Sequence, residues 1–232
     1  MRCSQCGYET SRDLSFCGRC GNLLVDAQSG TRIAMAHELE RQGRVEEAKE
    51  VLHRLLAIEP HRAAARRHLG TIYGHQGKLG LAIAELEAAV DIEPGFVDAW
   101  YDLGVACADG GEIAKSIGAF RKTLALDPHY RLAHYRLGRA FMHHGDLDKA
   151  LEHLESAVEL TPELVSAIYT LGILCRRLDR PERARWAFER VLTLCPDDAC
   201  AKHHLDEVIA DRRGGGTDED TREDPEGFSM AS

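Results

Sequence analysis

A chain of 232 residues is long enough for one or two domains with a buried core, and 44% hydrophobic content with only 6% aromatics suits helices packed through alanine and leucine better than an aromatic-rich β-sandwich. No apolar run approaches the roughly eighteen residues that a membrane helix needs, so no contact with the membrane interior is expected. The formal net charge of −9 is uneven: residues 214–232 hold six acids against Arg222, residues 1–28 balance at zero, and the middle keeps −4, so no segment offers the basic field that general nucleic-acid binding requires.

The first feature in the chain is a pair of cysteine knuckles. Cys3-x2-Cys6 and Cys17-x2-Cys20 stand ten residues apart, each followed by a glycine, Gly7 and Gly21. The spacing lets two sulfurs point at one ion, and the glycine allows the backbone to close around them. Four thiolates suit one tetrahedral Zn²⁺ and leave no open position for a substrate water. Metal would also replace the hydrophobic core that about 25 residues cannot supply. Rubredoxin-like iron and dithiol redox chemistry are the alternatives. The run Phe16-Cys17-Gly18-Arg19-Cys20-Gly21-Asn22 resembles the short zinc-ribbon modules that open many bacterial proteins. The ribbon, residues 1–26, is expected either to cap the rest of the chain or to touch a partner itself. Because Cys3 and Cys6 precede any apolar segment, a secretory signal is not expected, and the cytoplasm is the expected location.

The middle of the chain repeats. Pro60, Pro94, Pro128, Pro162 and Pro196 are each 34 residues apart, and each follows an apolar helical stretch that it terminates. Gly70, Gly104, Gly138 and Gly172 recur in the same phase, each preceded by leucine. Ala48, Ala82, Ser116, Ala150 and Ala184 recur as well, followed four residues on by Leu52, Leu86, Phe120, Leu154 and Phe188. The small residues mark close helix crossings and the large ones fill the volume between helices. Mid-period Gly43, Gly77, Gly111 and Gly145 are left-handed helix stops, which the fifth copy replaces by Asp179-Arg180-Pro181.

These signatures resemble the tetratricopeptide repeat, with its W-x2-L-G-x2-Y, A-x3-F and P positions at period 34. The third copy reads Trp100-x2-Leu103-Gly104-x2-Cys107, with Phe120 and Pro128 in phase. The fifth reads Ile168-x2-Leu171-Gly172-x2-Cys175, then Ala184-x3-Phe188 and Pro196. The first carries Ala36 where the glycine belongs. The resemblance covers about 170 of the 232 residues. It implies an all-α fold, a right-handed superhelix (α-solenoid) of five helical hairpins at residues 29–62, 63–96, 97–130, 131–164 and 165–198. Residues 199–213 then read as the polar helix that caps such an array, and 214–232 as a disordered acidic tail.

The resemblance also implies that the first helix of each hairpin lines a concave groove. Tyr101, Tyr135 and Tyr169 form a ladder there at the 34-residue period. Arg67, Arg136, Arg139, His143 and Arg176 stand at neighbouring inner positions. Tyrosine and arginine are favoured at binding hot spots, although the tyrosines equally suit packing against the next repeat. The array contains no asparagine, since the sole Asn22 lies outside it, so the lysine- and asparagine-based carboxylate clamp of chaperone-binding relatives does not carry over.

No phosphate-cradling glycine motif, nucleophile elbow or HExxH is present, so an enzyme is not expected and no small-molecule substrate is implied. Cys107 and Cys175 read as buried small hydrophobes, while Cys195 and Cys200 near His203 and His204 carry little metal signal. The expected function is a non-catalytic adaptor that holds a protein or peptide partner in the groove, with the zinc ribbon as cap or second contact. The rival makes the ribbon the working part, contacting nucleic acid or the transcription or translation machinery while the repeats assemble complexes. Arg2, Arg12 and Arg19 could meet phosphates, but the neutral local charge weakens that reading.

Overall fold

The structure, a computed structural model, describes the backbone of residues 25–214 and the side chains of residues 30–210. Cys3, Cys6, Cys17 and Cys20, with the zinc ribbon they define, lie outside the described residues, as does the acidic tail beyond residue 214. The described chain is entirely helical, with eleven α-helices and no strand among the described residues. It falls into two compact units that meet in sequence at Leu160 and Thr161.

The first unit holds four hairpins: α1 (Val25–Arg41) with α2 (Val45–Ile58), α3 (Ala63–His75) with α4 (Leu79–Ile92), α5 (Val97–Asp109) with α6 (Ile113–Leu126), and α7 (Arg131–His144) with α8 (Leu147–Leu160). Within this unit α2, α4 and α6 also pack on the first helix of the next hairpin, and the first helices touch in series, α1 on α3, α3 on α5 and α5 on α7. The second unit contains α9 (Val165–Arg177), α10 (Pro181–Leu194) and α11 (Ala199–Gly214), with α10 packed on both neighbours.

The close approach within a hairpin is where the small–large pattern predicts it. A Cβ placed on Gly70 would lie 2.7 Å from Leu86, and one on Gly104 would lie 2.6 Å from the Phe120 ring. Ala48, Ala82, Ser116, Ala150 and Ala184 are all fully buried, as is Ala36 in place of the first glycine. Cys107 and Cys175 are buried free thiols, and burial pushes the Cys107 thiol up to about 11.

Each hairpin turns the same way. Gly43, Gly77, Gly111 and Gly145 adopt φ between 72 and 91°, and Asp179 takes the equivalent place at φ 54°. In all five turns the following amide reaches back five residues to a carbonyl, as Lys78 N–H does to Tyr73 at 2.9 Å and Arg180 N–H to Cys175 at 2.9 Å. That bond satisfies a carbonyl which the helix end would otherwise leave open. Pro181 occupies the first turn of α10, where its missing donor costs nothing.

A second recurring bond ties the hairpin junctions. The side chain six residues after a closing proline donates to that proline's carbonyl oxygen. Arg66 Nε reaches Pro60 at 3.1 Å, Trp100 Nε1 reaches Pro94 at 2.9 Å, and His134 Nε2 reaches Pro128 at 3.0 Å. The fifth copy has Ile168 at this position and no donor to offer.

Candidate functional site

Two clefts open between successive first helices of the first unit, and they are the same cleft one repeat apart. The first, about 130 Å³, is lined by Leu79, Leu86, Asp102, Val105, Ala106 and Asp109, together with residues of α3 that include His75. The second, about 300 Å³, is lined at the positions 34 residues on by Ile113, Phe120, Arg136, Arg139, Ala140 and His143, with Ala108 and Asp109 opposite. The apolar floor is kept while the polar wall is rewritten. Asp102, Val105 and Asp109 of the first cleft become Arg136, Arg139 and His143 of the second.

In the first cleft Asp102 is already paired. Arg67 Nε donates to Asp102 Oδ2 at 2.6 Å, its Nη1 lies 3.9 Å from Asp98, and the guanidinium sits 5.6 Å from the centre of the Phe96 ring. Burial raises the Asp102 carboxyl despite the opposing pull of Arg67. The Tyr130 hydroxyl donates to Asp98 at 3.2 Å, and burial together with that carboxylate pushes it up to about 12. Tyr101 packs between Tyr130, 5.0 Å away, and Phe120, 5.8 Å away. Its ring is therefore held by aromatic packing within the array.

The second cleft is different. Arg136 and Arg139 lie one turn apart on α7, both half-buried, and neither is paired with a carboxylate among the described residues. Arg139 rests over the Tyr135 ring at 5.8 Å, which fixes its stem and leaves its donors available. His143 continues the same face and is exposed at the cleft's outer end. Two half-buried guanidiniums over an apolar floor can take a carboxylate by paired, charge-assisted hydrogen bonds, with less solvent screening than at an open surface.

The remaining sequence-predicted residues belong to the second unit. Tyr169 packs edge-on against Phe188 and also touches His204, both at 5.9 Å. Arg176 Nη1 is 2.6 Å from Glu207 and 2.7 Å from His204 Nδ1, so α11 holds it in place. The structure thus brings Arg136, Arg139 and His143 together, with Tyr135 beside them. Arg67 and Tyr101 stand in or near the first cleft, and Tyr169 and Arg176 are engaged with α10 and α11. The apolar floor of the second cleft, Ile113 and Phe120, comes from the second helix of the preceding hairpin, which inspection of first helices alone overlooks.

Comparison with known proteins agrees with the geometry. The sequence pattern of the tetratricopeptide repeat matches residues 33–95, 76–131, 111–165 and 135–199. No curated protein matches the chain. Among solved structures, Pseudomonas aeruginosa pilF superposes with a TM-score of 0.72 at 18% identity, covering 82% of this chain and 87% of that one. MamA from Desulfovibrio magneticus RS-1 gives 0.68 at 22%, covering 74% and 97%. YrrB, described as a TPR protein with an unusual peptide-binding site, gives 0.66 at 21%, covering 74% and 89%. Identities at this level establish the common fold alone. With the pattern matched over most of its length and the hairpins in place, this chain belongs to the tetratricopeptide-repeat family.

Proposed function

We propose that the chain is a non-catalytic interaction scaffold that holds an acidic peptide segment of a partner protein in the cleft between α5 and α7. Arg136 and Arg139 are the anchors, and His143 and Tyr135 flank them. The observation that carries this reading is the reversal of charge at equivalent positions: Asp102 of the acidic cleft is paired with Arg67, whereas neither Arg136 nor Arg139 of the basic cleft forms an ion pair among the described residues, and Asp109 is the one acidic residue that lines it. Desolvated, unpaired guanidiniums are costly to maintain unless something else completes them. Members of this family characteristically mediate protein–protein contacts, and the peptide-binding site named for YrrB is in keeping with that. Among the described residues no helix is long and apolar enough to cross a membrane.

The four cysteines fit this scheme as one structural Zn²⁺ site. Cys3, Cys6, Cys17 and Cys20 fill a tetrahedral shell, and the ribbon so formed would cap the array or give the partner a second contact. Tyr101 and Arg67 then belong to the neighbouring cleft of the same unit.

The test uses fluorescence anisotropy with labelled peptides rich in glutamate and aspartate. The wild-type chain binds them more tightly than lysine-rich controls. Replacing Arg136 and Arg139 together by glutamate weakens binding at least tenfold, about 1.4 kcal/mol, with the helical circular-dichroism signal unchanged. Equal affinity in the variant would remove the cleft from the binding surface.

A further inference from the structure

One cluster lies outside both clefts. His37 and Glu40, one turn apart on α1, face His68 on α3, and one ligand atom from each of the three lies within 4.8 Å of the other two. His68 Nε2 is 2.8 Å from Glu40 Oε2, and His75 Nδ1, two turns further along α3, is 3.3 Å from Glu40 Oε1. The His37 and His68 rings stack with centroids 3.7 Å apart and planes 17° from parallel.

Packing alone is a poor account of this arrangement. His68 is only 4% exposed, yet its Nδ1 has no hydrogen-bond partner. A buried polar atom left unpaired costs about 1–3 kcal/mol, so such groups are rare without a purpose. A single carboxylate is meanwhile shared between two imidazoles, with a third ring stacked on one of them. We propose that His37, Glu40 and His68 form a binding site for a divalent transition-metal ion, with zinc as the natural occupant.

The donor chemistry selects the class. Two imidazoles and one carboxylate suit Zn²⁺, whereas calcium and magnesium require oxygen shells and Cu(I) prefers sulfur. A tetrahedral ion with bonds of about 2.1 Å sets its donors about 3.4 Å apart, so the exposed His37 ring would turn out of its stack on His68 to aim a nitrogen at the ion. The fourth position is left for water or for His75. His37 and His75 are both exposed, which gives the ion a path in from solvent. The protonation states also agree. Burial, helped by the neighbouring His37, lowers the His68 imidazole and keeps it neutral. Burial alone would raise Glu40, but its bonds to His68 and His75 outweigh that and hold it ionised. The ion would bridge α1 to α3, fastening the first hairpin to the second.

The experiment uses the untagged full-length chain with Cys3, Cys6, Cys17, Cys20 and the exposed Cys195 and Cys200 replaced by serine, so that only the buried thiols of Cys107 and Cys175 remain. Zinc chloride alone is the probe, read by equilibrium dialysis and by thermal unfolding. One zinc per chain and a raised unfolding temperature are expected. His37→Gln, at an exposed position, weakens zinc binding at least tenfold without lowering the metal-free unfolding temperature, and His68→Gln removes the site. If this serine-substituted chain takes up no zinc, or if uptake survives both substitutions, the assignment is overturned. Neither result bears on the acidic-peptide cleft or on the four-cysteine ribbon.

Discussion

A glycine facing a phenylalanine across a helix pair leaves no room for even a methyl group. At Gly104 the missing Cβ is what lets the Phe120 ring approach to 2.6 Å of the place it would occupy. Gly104→Ala should therefore destabilise the protein by about 1–3 kcal/mol, measured by urea denaturation, because the overpacked ring must leave its well. This contact was readable from the sequence, since small and large residues recur sixteen positions apart at period 34. The tyrosine ladder was readable only as positions. Tyr101 meets Tyr130, a residue of the closing turn where the other copies have Arg62, Phe96, Leu164 and Asp198, so no recurring tyrosine announces the pair. Arg67 likewise finds Asp102 across one repeat plus one residue, a register that emerges only when α3 and α5 lie side by side.

At the scale of the element, the turn and the stop explain why each hairpin has its length. The left-handed residue ends the first helix, and the bond from the next amide fixes the direction in which the second begins. The junction between hairpins is set by the closing proline and by a donor six residues later. Arginine, tryptophan and histidine all make that donation, so the rule is one of hydrogen-bond capacity at a fixed place. Residue identity hides it, which is why the pattern of the repeat does not reveal it. Trp100→Phe keeps the ring packing but loses the bond to Pro94. A loss of about 0.5–1.5 kcal/mol is expected in equilibrium unfolding, and no change at all would show that water replaces the indole donor without cost.

At the scale of the molecule, stability depends on pH through a histidine pair that joins α7 to α8. His134 gives its Nε2 proton to Pro128, so its Nδ1 accepts from His153 Nδ1 at 3.2 Å. Burial, with His134 beside it and Arg121 nearby, lowers His153 below its ordinary 6.5, and Glu152 opposes only in part. Once pH falls below that ordinary value the unfolded chain binds a proton at His153 that the folded chain refuses. Stability is then lost progressively until the folded group also titrates. Unfolding temperature should fall between pH 7 and about pH 5, and His153→Gln should flatten that part of the curve. An unchanged slope would place the acid sensitivity elsewhere. The repeat count and the hairpin order were legible along the whole array, because periodicity accumulates with every copy. The metal cluster was not, because its ligands come from three separate turns and only the neighbouring of α1 and α3 gathers them.

Both clefts have an apolar floor, and the first-helix wall differs at Asp102/Arg136, Val105/Arg139 and Asp109/His143, none of which belongs to the buried small–large contacts that hold the hairpins together. Affinity and folding are thus written in separate columns of the same 34-residue sentence. A copied hairpin arrives with a finished cavity whose polar wall can be rewritten without touching its core. In such a chain new specificity is drafted by duplication and edited at the surface, leaving the grammar of the core untouched.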